Sequence, residues 1–122
     1  MLQFVFMEEN ITILHNPRCS KSRCAIDLLK EKQLSCEILD YMQYALSKEE
    51  LAGIIEKLGI HPEELIRKGE AEYKEHFKGK NLTDAEWIDA MLKFPKLIER
   101  PVVIKGNRAV IGRPTENILN IL

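Results

Sequence analysis

The chain has 122 residues, enough for one ordinary hydrophobic core, and its 45% hydrophobic and 30% charged content excludes a disordered tail or a fibre. Eighteen Lys and Arg side chains against nineteen Asp and Glu leave a formal charge of −1, so no bulk positive field exists to gather nucleic acid. Any anion site must be built locally, from a few placed arginines.

The start, Met1-Leu-Gln-Phe-Val-Phe-Met7, is apolar but lacks the cationic region and small-residue cleavage site of a secretory signal. Met7 offers an alternative start, with residues 1–6 as an extension. Ile11-Thr-Ile-Leu14 is a β-branched run that predicts a first strand. It ends at His15-Asn16-Pro17-Arg18-Cys19, where Pro17 turns Asn16 away from helical geometry. A helix follows from about Ser20 to Lys32, with Cys24, Ala25, Leu28 and Leu29 assigned to one face. Cys36-Glu-Ile-Leu-Asp-Tyr41 reads as a second strand, and strand, helix and strand make a βαβ unit with parallel strands.

The middle of the chain has a helical period. Ser47 and Glu50 stand at capping-box spacing before Leu51, Ile54, Ile55 and Leu58, and Gly59 stops that helix. Pro62 opens a short helix to about Arg67, and Thr83 with Glu86 caps another that carries Trp87, Ile88, Met91 and Leu92 on one face. The polar stretch from Lys68 to Lys80 is predicted as a loop or frayed turn. Then the period changes to that of a hairpin: Val102-Val-Ile104 and Ala109-Val-Ile111 flank a turn at Gly106-Asn107. Pro114 opens a closing helix, Thr115 to Ile121. The expected fold is one α/β domain of order βαβ…ββα, with a helical insertion at about residues 42–97. No segment approaches the roughly 20 apolar residues needed to cross a bilayer.

Three cysteines, Cys19, Cys24 and Cys36, are too few for a disulfide framework, and no paired C-x-x-C set suggests structural zinc. A cytoplasmic protein with reduced thiols is expected. Cys19 is the candidate nucleophile, because it stands between a strand and the N-terminus of a helix, where unpaired amides and the helix dipole favour a thiolate. Arg18, Lys21 and Arg23 add positive charge, and polar flanks argue for an accessible sulfur rather than a small buried hydrophobe. Cys24 and Cys36 are assigned to core packing. Cys19-Ser-Lys-Ser22 has the dithiol spacing without the second sulfur, so an internal disulfide of thioredoxin type is not available there.

Arg67, Arg100 and Arg113 stand in apolar or proline-bounded contexts, as either solvated side chains or donor forks for a tetrahedral oxyanion. Pro101, after Arg100, is a cis-proline candidate. His15 either tunes the cysteine loop or bonds to backbone, while His61 and His76 lack metal-ligand spacing and are assigned to the surface.

His15-Asn-Pro-Arg-Cys19-Ser-Lys-Ser-Arg23, Leu65-Ile-Arg67-Lys68, Ile98-Glu-Arg100-Pro101-Val-Val103 and Gly112-Arg113-Pro114-Thr-Glu116 occur in this order. Together they resemble the glutaredoxin-dependent arsenate reductases of the ArsC family, and the resemblance runs from about Ile11 to the end of the sequence. It implies a thioredoxin-like mixed sheet and a single ArsC domain over residues 1–122. It also implies Cys19 as the nucleophile on arsenate, Arg67, Arg100 and Arg113 as oxyanion ligands, and His15, Asn16, Ser22 and Arg23 as shapers of the cysteine loop. The implied cycle is a Cys–arsenate adduct, attack by glutathione, reduction by glutaredoxin and release of arsenite, in a monomer with no bound cofactor or metal and no nucleic-acid or membrane partner. The chain departs from the family pattern in its more basic loop (Arg18, Ser20, Lys21) and in the added thiol of Cys24. Two other readings follow from those departures: a glutathione-dependent thiol oxidoreductase that does not act on arsenate, and an Spx-type redox regulator that binds RNA polymerase, whose usual C-x-x-C switch Ser22 removes.

Overall fold

Ile11-Thr-Ile-Leu-His15 shows no polar–apolar alternation because β1 (Ile11–His15) has a hydrogen-bonded neighbour on each side, and all five residues are buried. The computed structural model describes residues 10–122, so the apolar start and the alternative start at Met7 lie outside the described residues. The described chain forms two compact units, one running to Tyr44 and resuming over Arg100–Leu122, the other comprising Ala45–Glu99.

The first unit holds a four-stranded mixed sheet in the order β2-β1-β3-β4. β2 is Glu37–Asp40, β3 is Val102–Lys105 and β4 is Arg108–Ile111. β1 and β2 are parallel, joined by α1 (Ser20–Glu31), while β3 runs antiparallel to both β1 and β4. One face of the sheet is covered by α1 and by a closing 3-10 segment, Thr115–Ile121. There Ile11, Ile13 and Val103 meet Ala25, Leu29, Ile118 and Ile121, every one of them buried. Burial of that apolar surface, at about 25 cal/mol per Å², supplies the main drive for this half of the fold.

The register decides where a site can form. His15 pairs with Asp40, Leu14 with Val102, and Val102 with Ile111. The loop after β1, the residue after β2, the approach to β3 and the exit from β4 therefore gather at one end of the sheet. Parallel strands ending together at such an end are the usual place for ligands in α/β folds.

The second unit is helical. Ser47 and Glu50 exchange side-chain and backbone bonds of 3.0 and 2.9 Å at the start of α2 (Lys48–Leu58), which Gly59 ends in the left-handed region at φ 68°. Pro62–Leu65 forms a 3-10 turn and Pro95–Leu97 another. Between them, α4 (Asp84–Lys93) packs against α2 and both turns through buried Trp87, Ile88 and Met91. A single antiparallel bridge joins Ile66 to Ile98.

Two local expectations are corrected. The Lys68–Lys80 stretch is not a loop throughout, since Ala71–His76 forms a short helix, α3, with no buried residue. Aromatic contact holds it: Tyr73 stacks on Trp87 at 6.4 Å, His76 stacks on Phe94 at 5.4 Å, and the Phe77 ring lies 6.0 Å from both Trp87 and Phe94. Tyr73 and Phe77 are four apart, the helical spacing that the surrounding charges mask. The closing helix after Pro114 is a 3-10 segment rather than an α-helix. Among the described residues, no helix is long and apolar enough to cross a membrane.

Candidate active site

Asn16-Pro17-Arg18-Cys19 is a tight turn, closed by a 2.9 Å bond from the Cys19 amide to the Asn16 carbonyl. Pro17 takes the second position, which suits its fixed φ, and the Asn16 side chain accepts from the Arg18 amide at 3.0 Å. The Arg23 guanidinium reaches back from α1 to the Pro17 carbonyl at 3.0 Å. Beneath the turn, fully buried Ser22 accepts from the Asn16 amide at 3.4 Å. Asn16, Ser22 and Arg23 thus all hold the loop that presents Cys19.

Cys19 is the N-cap of α1, with extended backbone at φ −99° and ψ 120° and no regular side-chain capping bond. Its polar flanks suggested an accessible sulfur, yet the residue is only 8% exposed, because the far end of the sequence folds over it. Arg113 spans 94 positions to donate from Nη2 to Cys19 Sγ at 3.2 Å, while its Nε donates to the Arg100 carbonyl at 2.7 Å. One guanidinium fork is therefore aimed by backbone on one side and grips sulfur on the other. The Arg100 side chain also hydrogen-bonds to the Cys19 sulfur and to Tyr41.

These contacts tune the thiol. Burial pushes the Cys19 pKa up, but the Ser22 amide, the Arg100 side chain, the Lys21 amide and the Ser22 hydroxyl together outweigh it and bring the value down from 9.0 to about 7. Of the groups to which the sequence attributes the lowering, the helix-start amides act on the thiol and the side-chain charges of Arg18, Lys21 and Arg23 do not. The Arg100 guanidinium, from the β3 approach, joins those amides.

One residue separates Arg113 from β4: Gly112, which donates its amide to the Pro101 carbonyl at 2.8 Å. A Cβ at Gly112 would stand 3.0 Å from Pro101 Cγ and 3.3 Å from Ile118 Cδ1, so a larger residue needs these neighbours to give by a few tenths of an ångström. Both Arg100-Pro101 and Arg113-Pro114 are cis. Asn117 donates to the Arg113 carbonyl at 3.0 Å and steadies the second of them.

His15, 9% exposed, closes β1 beneath the loop. Burial holds its pKa below the ordinary value, with Arg23 acting the same way and Asp40 opposing, so the imidazole is neutral near pH 7. Its Nδ1 is buried with no hydrogen-bond partner.

Arg67 lies in the helical unit. The strand-like bridge at Ile66 brings its amide to the Leu97 carbonyl at 2.7 Å, and its Nε pairs with Glu99 at 3.6 Å while its buried Nη1 has no hydrogen-bond partner. His61 and the His76 side chain are exposed. Among the described residues, no group of three or more His, Cys, Asp or Glu could hold a metal ion.

The core assignment of Cys24 is overturned: it is exposed. The buried stripe of α1 is Ser22, Ala25 and Leu29, a phase that leaves Cys24 on the solvent side and Leu28 at the core's margin. Cys36 is half-buried and stands just before β2 rather than within it, packed against the core, where burial pushes its thiol pKa up. Tyr41, read only as the end of a strand, is buried and hydrogen-bonded to Arg100. Nothing in its local sequence marks it, since its partner Arg100 arrives only through sheet pairing.

The ArsC family model matches residues 14–121. The chain belongs to the ArsC family. It is 41% identical over 115 residues to an arsenate reductase of Haemophilus influenzae, covering 93% of this chain and 99% of that one. It is 39% identical over 118 residues to the Escherichia coli protein YfgD, described as uncharacterized, covering 95% and 99% of the two chains. Among solved structures, an arsenate reductase from Vibrio cholerae superposes with a TM-score of 0.89 at 38% identity, covering 93% of this chain and 98% of that one. As an ArsC protein, the chain has the thioredoxin-like mixed α/β sheet that its motifs implied.

Proposed function

We propose that this ArsC protein is an arsenate reductase whose nucleophile is Cys19. The observation that carries the proposal is the convergence of two guanidinium groups, Arg100 and Arg113, on a sulfur whose pKa is brought to about 7. A thiolate needs a lowered pKa to attack, and a tetrahedral oxyanion needs planar donor forks beside the point of attack. Relatives named arsenate reductase at about the same length support the choice of oxyanion.

In the proposed cycle, Cys19 Sγ attacks arsenic and a hydroxide leaves, forming a thiol–arsenate adduct. Arg100 and Arg113 neutralise the oxyanion, and the amides of Lys21 and Ser22 take up the charge of Sγ before attack and after release. Ser22 at the dithiol position provides no second sulfur, so an outside thiol, glutathione, bonds to arsenic and displaces a second hydroxide, leaving arsenic(V) bound to both sulfurs. A thiol of glutaredoxin then takes glutathione away as a mixed disulfide, leaving two electrons on arsenic, and hydrolysis frees arsenite with the Cys19 thiolate. No prosthetic group is required. The cytoplasm, where thiols stay reduced, is the proposed compartment, and a monomer the proposed working form. Arg67 is proposed as a third oxyanion ligand on its motif alone.

The test is arsenite formation in a glutathione- and glutaredoxin-coupled assay. Wild type and Cys24→Ser turn over, Cys19→Ser does not, and Arg67→Ala lowers kcat/KM by on the order of tenfold or more. Turnover by Cys19→Ser at the wild-type rate would refute the mechanism. An Arg67→Ala rate within twofold of wild type would remove Arg67 from it.

A further inference from the structure

Resting on the arsenate reductase reading, we propose that Tyr41 is a positioning residue whose phenol hydroxyl holds the Arg100 guanidinium against the Cys19 sulfur. Tyr41 follows β2 directly, and the parallel register that sets Asp40 beside His15 brings it to the sheet end where Cys19 sits. The turn beyond it is closed by the Gln43 and Tyr44 amides on the Asp40 carbonyl, at 3.0 and 2.9 Å, and by the Met42 amide on the Asp40 side chain at 3.0 Å. That pins the backbone from which the ring enters. The residue is 2% exposed, and its hydroxyl is hydrogen-bonded to Arg100, whose guanidinium is bonded in turn to Cys19.

The two site arginines are thus held by different means. Arg113 is aimed by a main-chain acceptor, the Arg100 carbonyl at 2.7 Å. Arg100 is aimed by a side-chain acceptor. Arginine has no acceptor of its own, so the phenol oxygen receives one guanidinium N–H and leaves the others for the sulfur and an incoming oxyanion. A long flexible side chain gives up rotamer freedom when fixed, and a buried hydroxyl bonded to it meets part of that cost before substrate arrives. Phenylalanine would fill the same space, so the hydroxyl is what separates positioning from packing.

The experiment is a double-mutant cycle read by the pH profile of Cys19 alkylation with iodoacetamide, followed on the Cys19 peptide by mass spectrometry, beside arsenate kinetics. Tyr41→Phe is expected to keep its thermal midpoint within a few degrees of wild type, to move the alkylation midpoint upward from about 7, and to lower kcat/KM for arsenate by on the order of tenfold. In an Arg100→Ala background the same Tyr41→Phe change is expected to leave the alkylation midpoint where Arg100→Ala put it. An unmoved midpoint in Tyr41→Phe, or an equal further shift in the Arg100→Ala background, overturns the proposal. If wild type makes no arsenite, the arsenate reading falls, and the alkylation arms still decide the role of Tyr41.

Discussion

Cys19 holds a thiolate near neutral pH while almost completely covered, and those two facts pull in opposite directions. Burial alone drives a thiol toward its neutral form; the helix-start amides and the Arg100 guanidinium reverse the sign. The reversal has a consequence for stability. The folded pKa of about 7 lies below the ordinary 9.0, so the folded protein binds the Cys19 proton more weakly than the unfolded chain does. The resulting stabilisation is complete above pH 9 and is lost as pH falls through about 7. The unfolding free energy of wild type, less that of Cys19→Ser, is therefore expected to rise between pH 7 and 9; urea unfolding at several pH values measures it, and a flat difference would contradict the assigned pKa. Cys19 as the candidate nucleophile was legible in the sequence because a cysteine at a strand-to-helix junction needs only its neighbours to be singled out. So were the helix-start amides that tune it; that Arg100 joins them was not, since it reaches the sulfur only through the folded sheet. Cys24 was misread for a related reason: four apolar-looking positions allowed more than one helical phase, and packing chose Ser22, Ala25 and Leu29.

At the scale of elements, the site depends on segments meeting end to end. Gly112 sits where the exit of β4 passes the approach to β3, with Pro101 Cγ only 3.0 Å from where a Cβ would be. Gly112→Ala must move the Pro101 ring or the β4 exit, and Arg100 and Arg113 are the residues attached to those two segments. We expect Gly112→Ala to fold, to lose about 1–3 kcal/mol of stability, and to lower kcat/KM for arsenate more than its stability loss explains at the assay temperature. Wild-type kinetics in a folded Gly112→Ala protein would show that the segments give way without disturbing the arginines. Elements whose signals are short in range read correctly from sequence: both capping boxes, the Gly59 stop, the βαβ unit and the Gly106-Asn107 hairpin. α3 did not, because its helix is held by rings stacked against α4 rather than by a buried face of its own.

For the molecule as a whole, the sheet unit is the platform on which the sulfur chemistry stands. Ile13 and Val103 are 0% exposed and paired across the two middle strands, against Ala25 and Leu29 of the helix that Cys19 caps. Ile13→Ala is expected to cost roughly 2–5 kcal/mol, a large share of the 5–15 kcal/mol that stabilises a typical domain. Urea denaturation measures this, and a loss below about 1 kcal/mol would mean that the core repacks around the gap. Local sequence was enough to set most of the strands and capped helices, the cysteine loop and the family, since capping, turn chemistry and ordered motifs each act within a few residues. Tertiary structure alone decided which face of α1 is buried, that Cys19 is covered, and that Arg113 and Arg100 meet at its sulfur, with Tyr41 bonded to Arg100. Those contacts join residues as many as 94 positions apart, and strand register, which local sequence does not encode, brings them together.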